Sequence, residues 1–229
     1  MPMEGETKTR LFVAGVRLFA EKGFKAVTVR EICREAGAAN INAINYHFGG
    51  KAELYREILD QMFSETNRRF DKEGIGALPD SSPEERFRDF IFKYCRMLFG
   101  GGEIPTAMGR IFINEMAHPS PFLEEALGKY AHKRNRLLLA IVRDMLGTET
   151  PENVVRDCTI SVGGQILYYT FAWPVLRRVF PDHPGMAAYV DQLAEHVTRF
   201  SLGGIAAIKA ELPGSPVKHS STSPVVSED

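Results

Sequence analysis

Residues 40–51 read NINAINYHFGGK. Asn40, Asn42 and Asn45 crowd into six residues, although asparagine is a weak helix former that favours caps and turns. Helical patterns nevertheless stand on both sides. Upstream, Thr28-Val-Arg-Glu31 has the form of a capping box, in which the threonine hydroxyl accepts from the N3 amide and the glutamate reaches back. Val29, Ile32, Cys33 and Ala36 follow at i, i+3, i+4 and i+7, and Gly37 closes a helix of about two turns. Earlier still, Phe12, Val16 and Phe19 make an apolar stripe that Gly23 ends. Downstream, Leu54, Tyr55, Ile58, Leu59, Met62, Phe63 and Phe70 mark one face of a long amphipathic helix over residues 51–70.

A supporting helix, a short capped helix, a turn and a second short helix make a helix-turn-helix, whose second helix enters the DNA major groove. The exposed face of that helix must both donate and accept hydrogen bonds at base edges. Asparagine does so, pairing bidentately with adenine. Residues 36–50 hold no Lys, Arg, Asp or Glu, which suits base reading but leaves phosphate affinity to neighbouring groups. Over residues 1–60 nine Lys and Arg stand against eight Asp and Glu. Phosphate contacts are therefore expected to be few and placed. The candidates are Thr28, Arg30, Tyr46, Lys51 and the amides near residues 49–51.

The rest of the chain repeats the helical theme, so the fold class is all-α. Ser82-Pro83-Glu84-Glu85 restarts a helix with a second capping box and proline at N1. Phe87, Phe90, Ile91, Tyr94, Cys95 and Leu98 form its stripe. Further helices are expected over residues 105–117, 121–146 and 151–172, with Ser120-Pro121 and Thr150-Pro151 as N-cap and N1 pairs. WPVLRRVFPDHPG interrupts, and a last helix spans residues 185–210. The Ser- and Pro-rich residues 211–229 are expected to be a disordered tail. Of 229 residues, 44% are hydrophobic and 25% charged, and the net charge is −1. That is an ordinary globular balance, with no global pull toward nucleic acid or membrane. Three scattered cysteines, Cys33, Cys95 and Cys158, have no metal-site or redox-motif spacing and read as buried thiols. No signal peptide and no apolar run of membrane-spanning length is evident, so a cytoplasmic location is expected.

TVREICREAG followed by INYHFGGKAELY resembles the DNA-binding head of TetR-family transcriptional regulators over residues 8–55. The resemblance rests on Thr28, Ile32, Ala36, Gly37, His47, Phe48, Lys51 and Leu54. GRIFINEMAHPSPFLEEAL at residues 109–127, with the NYHFGGK ending, resembles the subgroup with a CerR-type C-terminal domain. Two departures stand out. The segment between Gly37 and His47 is one residue longer than usual, so either the turn bulges at residues 38–39 or the reading helix starts near Asn40. Asn45 stands where relatives place a phosphate-touching tyrosine, and Tyr46 follows it. The resemblance implies a homodimeric repressor, released by a small-molecule effector from an inverted-repeat operator in double-stranded DNA, with no cofactor, metal or membrane partner. It places Asn42, Asn45 and Tyr46 in the reading helix, Asn40 at its N-cap, His47 at its end and Lys51 near a phosphate.

The implied organisation is a helix-turn-helix domain at 1–50, a connecting helix at 51–73 and a helical ligand-binding and dimerisation domain at 82–210. Candidate effector residues are Phe90, Tyr94, Phe112, Asn114, Met116, His118, Gln165 and Tyr168, apolar walls with a few polar tips. Candidate dimer residues on the last two helices are Val162, Gly163, Ile166, Leu193, Val197, Phe200 and Ile205. In such a dimer the two reading helices lie about 34 Å apart or somewhat more, and an effector that rotates the long helix 51–70 would change that spacing. Two rivals remain. Glu115-x-x-His118 has the spacing of half a di-iron carboxylate site, but no second Glu-x-x-His exists. The other rival is a helical ligand- or protein-binding module without DNA binding.

Overall fold

The computed structural model describes residues 4–38, 40–75, 78, 80–100, 107–130 and 132–213. Among these the fold is all α. The expected tail beyond 213, the bulge at Ala39 and the helix start at 105 lie outside the described residues. The helices are α1 (Glu4–Ala26), α2 (Val29–Glu35), α3 (Ala43–Phe48), α4 (Lys51–Lys72), α5 (Pro83–Phe99), α6 (Ala107–Ala117), α7 (Leu123–Tyr130), α8 (His132–Leu146), α9 (Glu152–Val179) and α10 (Met186–Glu211). None of the described helices is long and apolar enough to cross a membrane.

The local signals act as the residue types dictate. Gly23 leaves helical geometry near the end of α1 at φ 72°, a conformation glycine adopts without a Cβ clash. Both capping boxes form. Thr28 accepts from the Glu31 amide at 3.2 Å while the Glu31 carboxylate takes the Thr28 amide at 2.8 Å. Ser82 and Glu85 repeat the exchange.

Three expectations about element ends need correction. α7 starts at Leu123 rather than Pro121, because the Ser120 hydroxyl accepts from the Phe122 amide and also donates to Glu115. Pro151 occupies the N-cap of α9, with no side-chain cap bond, instead of N1. The third difference is the largest: α9 runs straight through the expected interruption to Val179, with Pro174 inside it. A proline in a helix removes one backbone bond, at a cost of about 3 kcal/mol. Tertiary packing offsets this: Trp173 is buried, its ring edge-on to His183 at 5.1 Å, and Phe171 stacks on Phe112 of α6.

The buried side chains fall into two clusters. One gathers α1–α4 with Ile111 of α6 and with Leu123 and Ala126 of α7. The other gathers the end of α4 with α5, α8, α9 and α10, centred on Phe87, Ile91, Cys95, Ile141, Val155 and Leu193. α6 and α7, expected within the ligand-binding unit at 82–210, pack their buried residues into the same cluster as α1–α4. All three cysteines are buried and unpaired with one another.

Candidate nucleic-acid interface and its junction with the body

α3 is anchored by Ile44, which is fully buried, with Phe48 half-buried on the same side under the Lys8 ammonium. The opposite side carries Asn42, Asn45 and Tyr46, all exposed, Tyr46 at 73%. A residue pattern that buries one isoleucine and exposes three hydrogen-bonding side chains is what a groove-reading helix requires. Asn40 is not the N-cap. That position is Asn42, which makes no side-chain cap bond. The Asn40 carboxamide instead accepts from the Asn42 amide at 2.8 Å, a local turn two residues long. The helix thus starts three residues past Asn40, after a turn pinned by Cys33, whose thiol donates to the Ile41 carbonyl. His47 is half-buried and lies edge-on to Tyr46.

The charged groups of the head divide sharply. Lys22 pairs with Glu31 at 2.8 Å and Arg17 with Glu35 at 2.9 Å. The Lys22 contact, followed by the Thr28 bonds, holds the Glu31 carboxyl down at about 2. Lys51 points inward: its ammonium donates to the carbonyls of Phe24 at 3.0 Å and Val27 at 2.7 Å, over the Phe24 ring. Burial lowers its pKa below the usual lysine range. It ties the start of α4 to the end of α1, a structural role that the motif alone did not reveal. The Thr28 hydroxyl is likewise engaged, with Glu31. Arg30 and Arg34, exposed on successive turns of α2, make no ion pair among the described residues. Arg34 was not among the expected phosphate contacts; its i+4 spacing from Arg30 on a face away from Ile32 was the available signal.

A polar junction links this head to α6. The Tyr55 hydroxyl donates to the Glu115 carboxylate at 2.6 Å, and the Ser120 amide and hydroxyl both donate to the other carboxylate oxygen at 3.0 Å. Glu115 is 2% exposed. Burial and the adjacent carboxylate raise the Tyr55 pKa well above the ordinary tyrosine value. One residue earlier, Asn114 donates to the carbonyls of Phe19 and Ala20 in α1, ahead of its kink at Gly23. Glu115 and Asn114 therefore belong to the junction. No group of three metal-binding side chains exists among the described residues, and His118 is exposed at the helix end.

The expected effector set is not brought together. Phe90 and Tyr94 line a cavity of about 470 Å³ between α5, α8 and α9. Phe112 packs with the head cluster and on Phe171, while Met116 and Tyr168 are exposed and Gln165 bonds to Ser201 across α9 and α10. The expected dimer set also needs correction. Val162, Ile166, Leu193, Val197 and Ile205 are buried within the chain, and only Phe200, at 66%, and to a lesser degree Gly163 are open. The exposed apolar stripe on α9 is Ile160, Gly164, Tyr168, Phe171, Val175 and Val179, one helical face at i, i+4, i+8, i+11, i+15 and i+19.

A capped helix, a turn and a reading helix with an exposed polar face define a helix-turn-helix DNA-binding protein, here joined to a helical body. Residues 11–58 match the family model of bacterial regulatory proteins of the tetR family, and residues 83–205 match the C-terminal domain of the HTH-type transcriptional dual regulator CecR. The chain belongs to the TetR family of DNA-binding transcriptional regulators, with a C-terminal domain of the CecR type. This CecR domain is the CerR-type region expected from residues 109–127.

Among relatives, a probable HTH-type transcriptional regulator, YttP, of Bacillus subtilis is 22% identical over 62% of this chain and 66% of its own length. The CecR dual regulator of Shigella flexneri is 34% identical over 42% of this chain and 44% of its own. The chain thus spans less than two thirds of these relatives. The regulator FadR from Bacillus subtilis, solved in complex with stearoyl-CoA, shares the fold at a TM-score of 0.56 and 16% identity, covering 83% of this chain and 97% of that one.

Proposed function

We propose that this chain acts as a homodimeric repressor that binds an inverted-repeat operator and is released from it by a small-molecule effector. The observation that carries the reading is the outward face of α3, where Asn42, Asn45 and Tyr46 stand exposed over a buried Ile44. Asn42 and Asn45 read bases, with Asn40 and His47 at the edges of the same surface. Arg30, Arg34 and the Tyr46 hydroxyl meet phosphates, with Thr28 and the amides at the start of α4 beside them. The chain divides functionally into the head at 1–50, the connecting α4 and an effector-binding and dimerising region over 82–210.

Dimerisation uses the exposed faces of α9 and α10 rather than their buried stripes. On α10, His196, Phe200, Gly203 and Ala207 follow one another at i, i+4, i+7 and i+11, all exposed. Together with the α9 stripe they supply two helices per protomer for an isologous four-helix interface. Effector release is supported by the fold shared with FadR, whose structure holds stearoyl-CoA, and by the polar junction through which α6 grips α1 and α4. The test is retention of sheared genomic DNA by the purified dimer at about 150 mM salt, a regime in which non-specific binding is weak, followed by sequencing. Enrichment of an inverted repeat is expected. A folded dimer that retains no preferred sequence would contradict the operator assignment.

A further inference from the structure

We propose that the cavity between α5, α8 and α9 takes an amphipathic oxyanion, an apolar tail ending in a carboxylate or phosphate-type head. The inference rests on the effector-responsive reading and names the chemistry of its ligand. At about 470 Å³ the space has the size of a small-molecule site. Its wall is apolar: Phe90 and Tyr94 from α5, Leu138 and Leu139 from α8, Ile166 and Leu167 from α9. Phe90 and Ile166 are buried to within 1% and belong to the body core, so that side is closed. On α9 the wall opens at Gly163 and Gly164, where an added Cβ would meet no atom within 4 Å. An apolar lining of this kind favours a hydrocarbon tail through removal of its surface from water.

The charged groups of the lining have one sign, and its other polar groups, Thr159 among them, are neutral. Arg136 and Arg156 reach it, with Asn135 beside them, and no carboxylate lines it among the described residues. Arg156 rests on Asp157, the next residue, at 2.9 Å, with both side chains about 60% exposed. An exposed pair of this type contributes little, so a ligand oxyanion can replace Asp157 without a large loss. The planar guanidinium fork matches the geometry of carboxylate and phosphate oxygens. Ile160 and Gly164 belong both to this lining and to the exposed face of α9, so a bound ligand borders the proposed dimer surface.

The test is calorimetric titration of the full-length protein with sodium octanoate, octyl phosphate and 1-octanol. Saturable binding of one anion per chain is expected, with 1-octanol about tenfold weaker or more, since a hydrogen bond to a charged group carries that much. Preference for octanoate identifies a carboxylate head and preference for octyl phosphate a phosphate head; equal binding shows that charge alone matters. Arg136→Gln with Arg156→Gln should bring the anions down to the level of the alcohol. Each single variant is measured too, so that a misfolded double variant does not void the experiment. Alcohol bound as tightly as the anions, an anion preference that survives loss of both arginines, or no binding of any probe overturns the proposal. Anion binding without operator retention would leave this proposal standing and remove the repressor reading; retention without anion binding would do the reverse.

Discussion

In the head, helices are joined by buried or half-buried directional bonds: Lys51 to the Phe24 and Val27 carbonyls, Asn114 to Phe19 and Ala20, Tyr55 and Ser120 to Glu115. In the body, the groups buried between α5, α8, α9 and α10 are mostly apolar, with few directional bonds between helices such as Gln165 to Ser201, and the ion pairs stand at the rim, as in Arg86–Asp144 and Arg96–Asp191. The difference has a physical consequence. Apolar burial is roughly proportional to area and has no preferred direction, so it does not by itself fix how the body helices are oriented. A buried carboxylate with three donors either keeps its geometry or leaves polar groups unpaired. In the proposed effector response, a displacement in the body would reach the head through Glu115 and Asn114, the groups by which α6 holds α4 and α1. That is the arrangement a two-state regulator needs.

The strongest way to break the contrast is in the body. Ile141→Ala, at a fully buried position, should lower stability by about 2–5 kcal/mol in urea unfolding while leaving the operator affinity of the folded dimer unchanged. A loss of DNA affinity at matched folded fraction would show that the two regions are not separable. Lys51→Ala probes the directional side. It leaves the Phe24 and Val27 carbonyls without their donor and should destabilise the head by about 1–3 kcal/mol. A purely phosphate-binding lysine would instead change only the salt dependence of DNA binding.

Asn42→Ala or Asn45→Ala should cost about 1–3 kcal/mol on the preferred operator and relax its sequence preference, with thermal stability unchanged because both side chains are exposed. An equal loss on every DNA sequence would remove these residues from base reading. Tyr55→Phe deletes one of the donors to Glu115 and should destabilise by about 1–2 kcal/mol. The informative readout is operator affinity: if it stays at the wild-type value, the junction does not set the position of the head.

The smallest expected effect concerns pH. The Glu31 carboxyl is held at about 2 in the folded head, first by Lys22 and then by Thr28, against an ordinary value near 4.5. Its folded pKa is depressed, so its stabilising effect is complete above about 4.5 and is lost as pH falls toward 2. Glu31→Gln should therefore weaken the acid dependence of head unfolding in that window. Identical acid transitions in both proteins would rule out the contribution.

Residues whose roles depend on near neighbours were legible in the sequence. The two capping boxes, the stop at Gly23 and the outward asparagines each follow from a spacing of three or four residues. Asn40 stands two residues before the N-cap of α3, a placement that depends on how Cys33 and Ile44 seat the preceding turn and not on any local spacing. The dimer set expected from the small, flat SVGGQI stretch and from the α10 stripe lies mostly in the core, because each long helix of the body has two apolar faces. One packs on α5, α8 and the neighbouring long helix, and the other is exposed. Periodicity reports a stripe and not its partner.

By itself, then, the sequence determined the helical class, the head with its reading helix and the family, because capping, periodicity and side-chain chemistry act over a few residues. Only the tertiary structure decided that Lys51 and Asn114 serve as clamps, that Glu115 is held by Tyr55 and Ser120, and that α9 passes through Pro174. The two clamps depend on groups brought together across 24 to 95 positions of chain, as for Lys51 with Val27 and Asn114 with Phe19, and Tyr55 lies 60 positions from Glu115. Such pairings are set by how the amphipathic helices pack, since the hydrophobic effect that drives the packing carries no address for its partner.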